Sequence, residues 1–264
     1  MKLSISNIAW PPEDDPEMLQ FLRSNRFLGV EIAPLRVFPE YPDCEAGKAQ
    51  GFSAALREKY GLAVSSIQAI LYGRRERLFG NEAERKALSG CVKKALDLAA
   101  ETGCHNIVFG SPKNRIIEGA GQYPIAVKFF EELAAYAEKR ETVLSIEPNP
   151  AIYGTNFINT TKQAFELVKD VGLPGFRVNV DCGTVIQNEE EISCIEDHLA
   201  LVNHLHISEP MLEPLKERRL HQRLADLLKG NGYDRFVSIE MKRQGNLGPV
   251  KAAAQYVRGV FGDD

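Results

Sequence analysis

The sequence predicts an α/β protein folded as a single (β/α)8 barrel, or TIM barrel, that spans residues 1–264. Two observations lead to this fold class. The length of 264 residues is close to the roughly 250 residues typical of such barrels. Short runs of β-branched and apolar residues also alternate with longer segments of helical periodicity, which is the pattern of βα units around a parallel sheet.

Eight segments are predicted to be strands because they are short and rich in β-branched or apolar residues. In chain order they are residues 3–8, 29–32, 62–68, 106–109, 143–147, 176–181, 202–207 and 236–240. An open doubly wound sheet is the alternative architecture. It is disfavoured because the first strand leads into Trp10-Pro11-Pro12 instead of a G-x-G-x-x-G loop, and no Walker-type loop occurs. No linker or low-complexity segment divides the chain, so one domain is expected.

Helices are predicted between these strands where apolar residues repeat at helical spacing. They cover residues 16–25, 82–102, 123–139, 161–171, 192–201 and 220–231. The segment 82–102 shows the pattern strongly, with Leu88, Val92 and Ala95 on one face. Gly103 follows it and supplies the positive φ that is typical just after a helix end.

Composition and charge exclude several classes of protein. Apolar residues make up 44% and charged residues 26%, and the net charge is −4 with no long basic run, so a nucleic acid is not expected as the main partner. The N-terminus lacks the apolar core and cleavage site of a signal peptide, and no stretch approaches the about 18 consecutive apolar residues of a membrane helix. The five cysteines are odd in number and form no C-x-x-C pair. These features predict a cytoplasmic protein without a membrane partner.

Four successive predicted strands end in, or close to, a residue that can bind a metal. Glu147, Asp181 and Glu240 close the fifth, sixth and eighth strands, and His206 lies near the end of the seventh. The carboxyl ends of barrel strands converge on one mouth, where active sites lie, so these side chains are predicted to face a common centre. Three adjacent carboxylates repel one another, and a bound cation relieves that repulsion. One divalent ion is therefore expected, with Mn²⁺ favoured by the oxygen-rich ligands and Mg²⁺ or Co²⁺ as alternatives.

Three of these residues have a second interpretation. Glu147 could instead accept hydrogen bonds from the loop that follows it. His204 lies two residues before His206 on the same strand face, so either imidazole could point inward. His206 is predicted to be the ligand because it is closer to the strand end, which leaves His204 deeper in the barrel as a hydrogen-bonded core histidine. Asp181 could instead cap the turn at Gly183-Thr184.

Several segments resemble the xylose-isomerase-like barrel superfamily, whose members include sugar phosphate isomerases/epimerases, ketose 3-epimerases, inosose dehydratases and endonuclease IV. The resemblance spans nearly the whole chain and rests on residues 5–10, 29–34, 145–149, 180–184, 204–210 and 232–241. It implies a metal set of Glu147, Asp181, His206 and Glu240. By the same resemblance to ketose 3-epimerases, Glu147 and Glu240 inherit the role of the acid/base pair. Thr184 departs from the pattern, because many epimerases have a substrate-binding histidine at this position.

Together with this ligand set, the resemblance implies a metal-dependent isomerase or epimerase of a small sugar or polyol-derived substrate. A metal that chelates a carbonyl and an adjacent hydroxyl stabilises the enediolate formed when the neighbouring C–H is deprotonated. One glutamate removes the proton, and the other returns it on the opposite face in epimerisation or at the adjacent carbon in isomerisation. Loss of a β-hydroxyl from the same intermediate is dehydration, so a dehydratase of a keto-polyol or dehydroshikimate-like acid is the alternative. A sugar-binding barrel without turnover is a third hypothesis. Endonuclease IV chemistry is disfavoured because its metal cluster needs many histidines and the chain has five.

Further residues are candidates for substrate binding. Lys113 and Arg115 follow the fourth strand and could hold a phosphate or a carboxylate. Asn149 lies just beyond Glu147, and His221 begins the last predicted helix, from which it could reach the site. Glu31 and other polar residues of the early strands either line the pocket or form interior polar layers. The resemblance also makes a homodimer or homotetramer plausible.

Overall fold

Eight parallel strands form a nearly closed barrel in a computed structural model of the chain, which describes residues 1–43 and 47–262. The strands are β1 (Lys2–Ile5), β2 (Gly29–Ile32), β3 (Ala63–Ile67), β4 (Ile107–Phe109), β5 (Leu144–Ile146), β6 (Phe176–Asp181), β7 (Val202–Ile207) and β8 (Phe236–Ile239). All eight overlap the predicted segments, so the predicted barrel is confirmed. That one domain extends over residues 1–264 stays a prediction.

Hydrogen-bonded neighbours run in the order β1-β8-β7-β6-β5-β4-β3-β2. β1 pairs with β8 along its whole length, from Lys2 opposite Phe236 onward. The gap between β1 and β2 is bridged by a parallel pair of Ser6 and Glu31. β1 ends at Ile5, earlier than predicted, because the next residues form a short 3₁₀ helix in which Ser6 Oγ accepts a hydrogen bond from a backbone N–H.

The surrounding helices are α1 (Asp15–Ser24), α2 (Pro34–Val37), α3 (Lys48–Tyr60), α4 (Glu82–Thr102), α5 (Tyr123–Lys139), α6 (Thr161–Val171), α7 (Cys182–Gln187), α8 (Ser193–Glu196), α9 (Arg219–Gly230) and α10 (Leu247–Phe261). The predicted helices 82–102, 123–139 and 161–171 have the observed bounds, and 16–25 and 220–231 are shifted by one residue. The predicted helix 192–201 is wrong as a single element, because it divides into α8 and a separate 3₁₀ turn at Leu199–Leu201. Among the described residues, no helix is long and apolar enough to cross a membrane.

Local caps explain why the best-predicted helices have sharp ends. Asn81 precedes α4, and its side chain accepts from Glu84 N while the Glu84 carboxylate accepts from Asn81 N, both at 3.0 Å. This reciprocal pair satisfies two of the free N–H groups at the start of a helix. Gly103 ends α4 in the left-handed conformation at φ 68°, as predicted.

The two faces of the barrel sheet carry different side chains, which are apolar under the helices and polar toward the barrel axis. Apolar residues face outward beneath the helices. Phe176 is one of them, and its ring stacks on that of Phe130 of α5 with centroids 4.6 Å apart. Polar residues alternate with them and face the barrel axis, where Ser4 Oγ contacts Ser65 Oγ at 2.5 Å across the intervening β2. Because side chains alternate along a strand, this pattern also turns the residues at the strand ends toward the axis. The polar interior is the layer on which the candidate site lies.

Gly175 precedes β6 at a point where α5 leaves no space for a side chain. An added Cβ would lie 2.2 Å from the Ala134 carbonyl oxygen of α5. We expect Gly175→Ala to lower the free energy of unfolding by about 1–3 kcal/mol, the usual cost of overpacking, as measured by urea unfolding. Gly51→Ala is the matched control, since no atom lies within 4 Å of its added Cβ. It lies inside α3 and should stabilise the helix. Equal unfolding midpoints for the two variants would contradict this packing analysis.

Candidate metal centre

Four buried side chains meet at the carboxyl-terminal mouth of the barrel. Each of Glu147, Asp181, His206 and Glu240 offers one ligand-type atom, and these four atoms all lie within 4.8 Å of one another. His206 Nδ1 is 2.7 Å from Glu147 Oε1 and 3.2 Å from Glu240 Oε2. The structure therefore brings together the four residues proposed from the strand ends, and their chemistry could hold a metal ion.

The cluster carries more negative than positive charge. Burial raises the pKa of Glu147, Asp181 and Glu240, and a neighbouring carboxylate raises the pKa of each further. Burial acts to lower the pKa of His206, but the surrounding carboxylates outweigh it and raise that pKa well above its usual value. Three carboxylates next to one imidazole are costly in a low-dielectric interior unless a cation accompanies them. Oxygen donors with one nitrogen suit Mn²⁺, Mg²⁺ or Co²⁺.

Asp181 caps the helix α7 and also belongs to the cluster. Its Oδ2 accepts hydrogen bonds from Thr184 N at 2.7 Å and Thr184 Oγ1 at 2.8 Å, and so caps the start of α7. Its Oδ1 accepts from Ser208 Oγ. Both sequence interpretations of Asp181 therefore describe the same side chain. Thr184 is fully buried, and its Oγ1 also lies 2.8 Å from the Pro148 carbonyl oxygen, so it helps to orient Asp181.

Glu31 is the residue whose role the sequence did not define. Its Oε2 lies 3.0 Å from His206 Nε2 and 3.2 Å from His204 Nε2. Burial opposes its ionisation, yet the charge on His206 and contacts with both histidines hold the pKa of Glu31 well below its usual range. Because the Glu31 carboxylate contacts Nε2 of His206, Nδ1 of the same ring faces Glu147 and Glu240. His204 is buried, as predicted, but its Nε2 makes no hydrogen bond and only approaches Glu31. Burial lowers the pKa of His204.

The proposed substrate residues that follow β4 and β5 differ in whether they line the mouth of the barrel. Asn149 lines the mouth and donates to the Pro148 carbonyl at 3.1 Å. Arg115 is fully buried, and its Nη2 donates to Glu147 O and Asn149 Oδ1 at 2.6 Å each. Its Nη2 therefore supports the loop from behind, whereas its Nε and Nη1 have no hydrogen-bond partner. Arg115 lies outside the residues that line the mouth, and its contact with substrate stays a prediction. Lys113 is exposed on a 3₁₀ turn outside the residues that line the mouth.

His221 does not reach the mouth. It lies on α9 in the outer layer of helices, fully buried against α10, where its Nδ1 is 3.0 Å from the Tyr256 hydroxyl. Burial lowers its pKa to about 4. The expectation that His221 contacts substrate is therefore corrected, because the start of α9 packs against α10 and not against the barrel axis.

A cavity of about 290 Å³ opens above the cluster. Glu147, Asp181 and Glu240 form its charged part, and Gln68, Ser111, Asn149 and Tyr153 add neutral polar groups. The remaining wall is apolar and includes Ile70, Leu71, Tyr72, Pro112 and Leu212. Among the described residues, no lysine, arginine or histidine lines this cavity.

Solved structures with the same architecture are numerous. The chain superposes on a 3-keto-D-glucoside 4-epimerase from E. coli with a TM-score of 0.78 and 19% identity, covering 98% of each chain. A D-psicose 3-epimerase solved in the presence of D-fructose gives a TM-score of 0.81 at 18% identity, with 100% of both chains covered. The probable 3-DHS dehydratase AsbF from Bacillus anthracis gives 0.69 at 16% identity, covering 97% of this chain and 98% of that one. At these identities the likeness shows the fold.

No curated protein sequence matches the chain. A family model described as "Xylose isomerase-like TIM barrel" matches residues 19–260, which is most of the chain and includes all four clustered residues. The chain therefore belongs to the xylose isomerase-like TIM barrel family.

Proposed function

We propose that the chain is a divalent-metal-dependent isomerase or epimerase that acts on a small sugar or polyol-derived keto compound. The convergence of Glu147, Asp181, His206 and Glu240 beneath one cavity carries this proposal. The two epimerases of similar structure described above support it by analogy. We also expect the protein to be cytoplasmic and to form a homodimer or homotetramer.

These four side chains would hold the metal, and Mn²⁺ is our preferred ion, with Mg²⁺ or Co²⁺ as substitutes. The cluster fits a divalent cation because its donor atoms share one small centre and its charge is unbalanced without one. Such an ion, when bound, polarises a carbonyl and an adjacent hydroxyl and stabilises the negative charge that develops on them.

Glu147 and Glu240 are the proposed acid/base pair. Both carboxylates line the cavity, from β5 and β8 respectively, whereas His206 is fully buried behind them. One glutamate would remove the proton from the carbon next to the carbonyl, and the other would supply a proton to the product. Asn179 Nδ2 donates to Glu147 Oε1 at 2.7 Å and so restricts the orientation of that carboxylate.

The lining of the cavity favours an uncharged sugar over the acid substrate of the dehydratase alternative. A carboxylate or phosphate is usually held by arginine or lysine, and none lines the cavity among the described residues. Arg115, the nearest candidate in the sequence, is engaged with Glu147 O and Asn149. A sugar-binding barrel without turnover is disfavoured because both proposed proton-transfer carboxylates are present and line the cavity.

Proton exchange with solvent tests this function directly. We expect Mn²⁺-loaded protein incubated with neutral ketoses, such as D-fructose, in D₂O to incorporate deuterium at a carbon next to the carbonyl, as followed by NMR. Glu147→Gln and Glu240→Gln should each lower the rate by at least about 100-fold, in keeping with the loss of a general acid or base. Glu213→Gln, at an exposed glutamate bound to Lys242, is the control. A conjugated ultraviolet-absorbing product would instead indicate dehydration. Exchange that survives both glutamine variants would contradict the assignment.

A second prediction concerns Glu31, whose carboxylate contacts His206 on the side away from the cluster. Calorimetric titration should show one Mn²⁺ per wild-type chain. Glu31→Gln keeps the side-chain shape but removes the charge, and we expect Mn²⁺ affinity to fall about 10- to 100-fold, as for other outer partners of metal-binding histidines. Nitrogen NMR shifts of the His206 ring should show a changed proton distribution. Wild-type affinity together with unchanged ring shifts would mean that Glu31 only fills space.

A further inference from the structure

The loop after β3 forms one wall of the cavity through Ile70, Leu71 and Tyr72. Its backbone is fixed by an unusual turn, since Ala69 has φ 54°, a conformation that is uncommon outside glycine. Tyr41 OH also donates to the Ile70 carbonyl at 2.9 Å. The loop thus presents apolar side chains to the cavity from a fixed backbone.

The loop after β7 presents a second apolar surface through Leu212. Met211 and Leu212 have φ 60° and 52° in succession, and such left-handed residues persist where the surroundings hold them. Met211 N donates to the Tyr153 hydroxyl at 2.7 Å, and Leu212 O accepts from Lys242 N at 2.8 Å. Both contacts tie this loop to neighbouring loops of the mouth. We call Ile70, Leu71, Tyr72 and Leu212 the apolar wall.

The apolar wall continues outward into an exposed apolar rim. Tyr72 is 76% exposed although it lines the cavity. Six large apolar side chains are exposed among the described residues, and all except Leu28 follow a barrel strand at the end that carries the cavity. Of these six, Tyr72 alone lines the cavity, and an exposed apolar side chain at the edge of a cavity is a candidate binding contact.

We propose that the apolar wall is a subsite for the non-reacting part of an uncharged keto-glycoside, whose reacting ring carries the carbonyl and whose other part is an aglycone or a second sugar ring. This inference rests on the proposed function, which places the reacting ring at Glu147 and Glu240. A free monosaccharide at the carboxylates needs little apolar surface, whereas an attached ring would cover Tyr72, whose aromatic face stacks well on planar or C–H-rich groups. The absence of cationic side chains from the described cavity lining favours an uncharged ligand. A second copy of the chain is the less favoured occupant, because a partner on Tyr72 and Leu212 would close the cavity that the carboxylates line.

Binding of phenyl and methyl β-D-glucopyranoside to the Mn²⁺-loaded full chain tests the subsite. We expect saturation-transfer NMR to show contact with the phenyl ring, and the phenyl glucoside to bind about tenfold more tightly than the methyl glucoside, a ratio within the range of a single aromatic contact. Tyr72→Ala should remove this preference without changing Mn²⁺ affinity, and Tyr72→Phe should retain it. Leu28→Ala, at an exposed leucine before β2 at the opposite end of the barrel, is the matched control.

Equal affinity for the two glucosides, or a preference that survives Tyr72→Ala, would overturn the subsite. Sedimentation showing a dimer that Tyr72→Ala dissociates would assign the wall to a second copy and would also overturn it. Failure of the proposed function is distinguishable from these results, because it would show as loss of Mn²⁺ binding or of deuterium exchange in the wild-type protein.

Discussion

Buried negative charge around one imidazole is the constraint on which the rest of this structure depends. His206 contacts Glu31 on Nε2 and both Glu147 and Glu240 on Nδ1, at 2.7–3.2 Å. These contacts connect β2 and β7 across the barrel axis and extend to the residues that follow β5 and β8. Isolated buried carboxylates are strongly destabilising, so each needs a cation or several hydrogen-bond donors. A divalent ion at the mouth is one way in which this barrel can meet that need, and a protonated His206 is the other, because Nδ1 of His206 must lose its proton before it can contact an ion.

The neighbouring residues each contribute to the placement of these carboxylates. Thr184 and Ser208 supply donors to Asp181, and Arg115 holds the backbone carbonyl of Glu147. Gly110 leaves room for Glu147, since an added Cβ would lie 2.3 Å from its carboxylate oxygen. The loops at the mouth therefore serve two purposes, because they orient the acidic cluster below and carry the apolar wall above.

The strands and the acidic cluster were predictable because both follow from local pattern. An acid or a histidine at the end of each of four successive strands can be recognised without coordinates, since barrel strands all end at one mouth. The role of Glu31 was not predictable in this way, because it depends on contact between β2 and β7 across the barrel, which no sequence spacing reveals. Arg115 and His221 were assigned to the substrate from residue type and from their positions after the fourth strand and at the start of the last predicted helix, and their burial is a property of loop and helix packing. The helix α3 was missed because its buried face consists of Ala49, Ser53, Leu56 and Tyr60, which form a weak apolar repeat.

The position of a bound metal tests the central claim most directly. Crystals of the full chain grown with Mn²⁺ and measured near the manganese absorption edge would locate the ion by its anomalous scattering. We predict a single strong peak in contact with Glu147, Asp181, Glu240 and Nδ1 of His206. A peak on the other side of His206, between Glu31 and His204, or no ordered peak at all, would contradict the account.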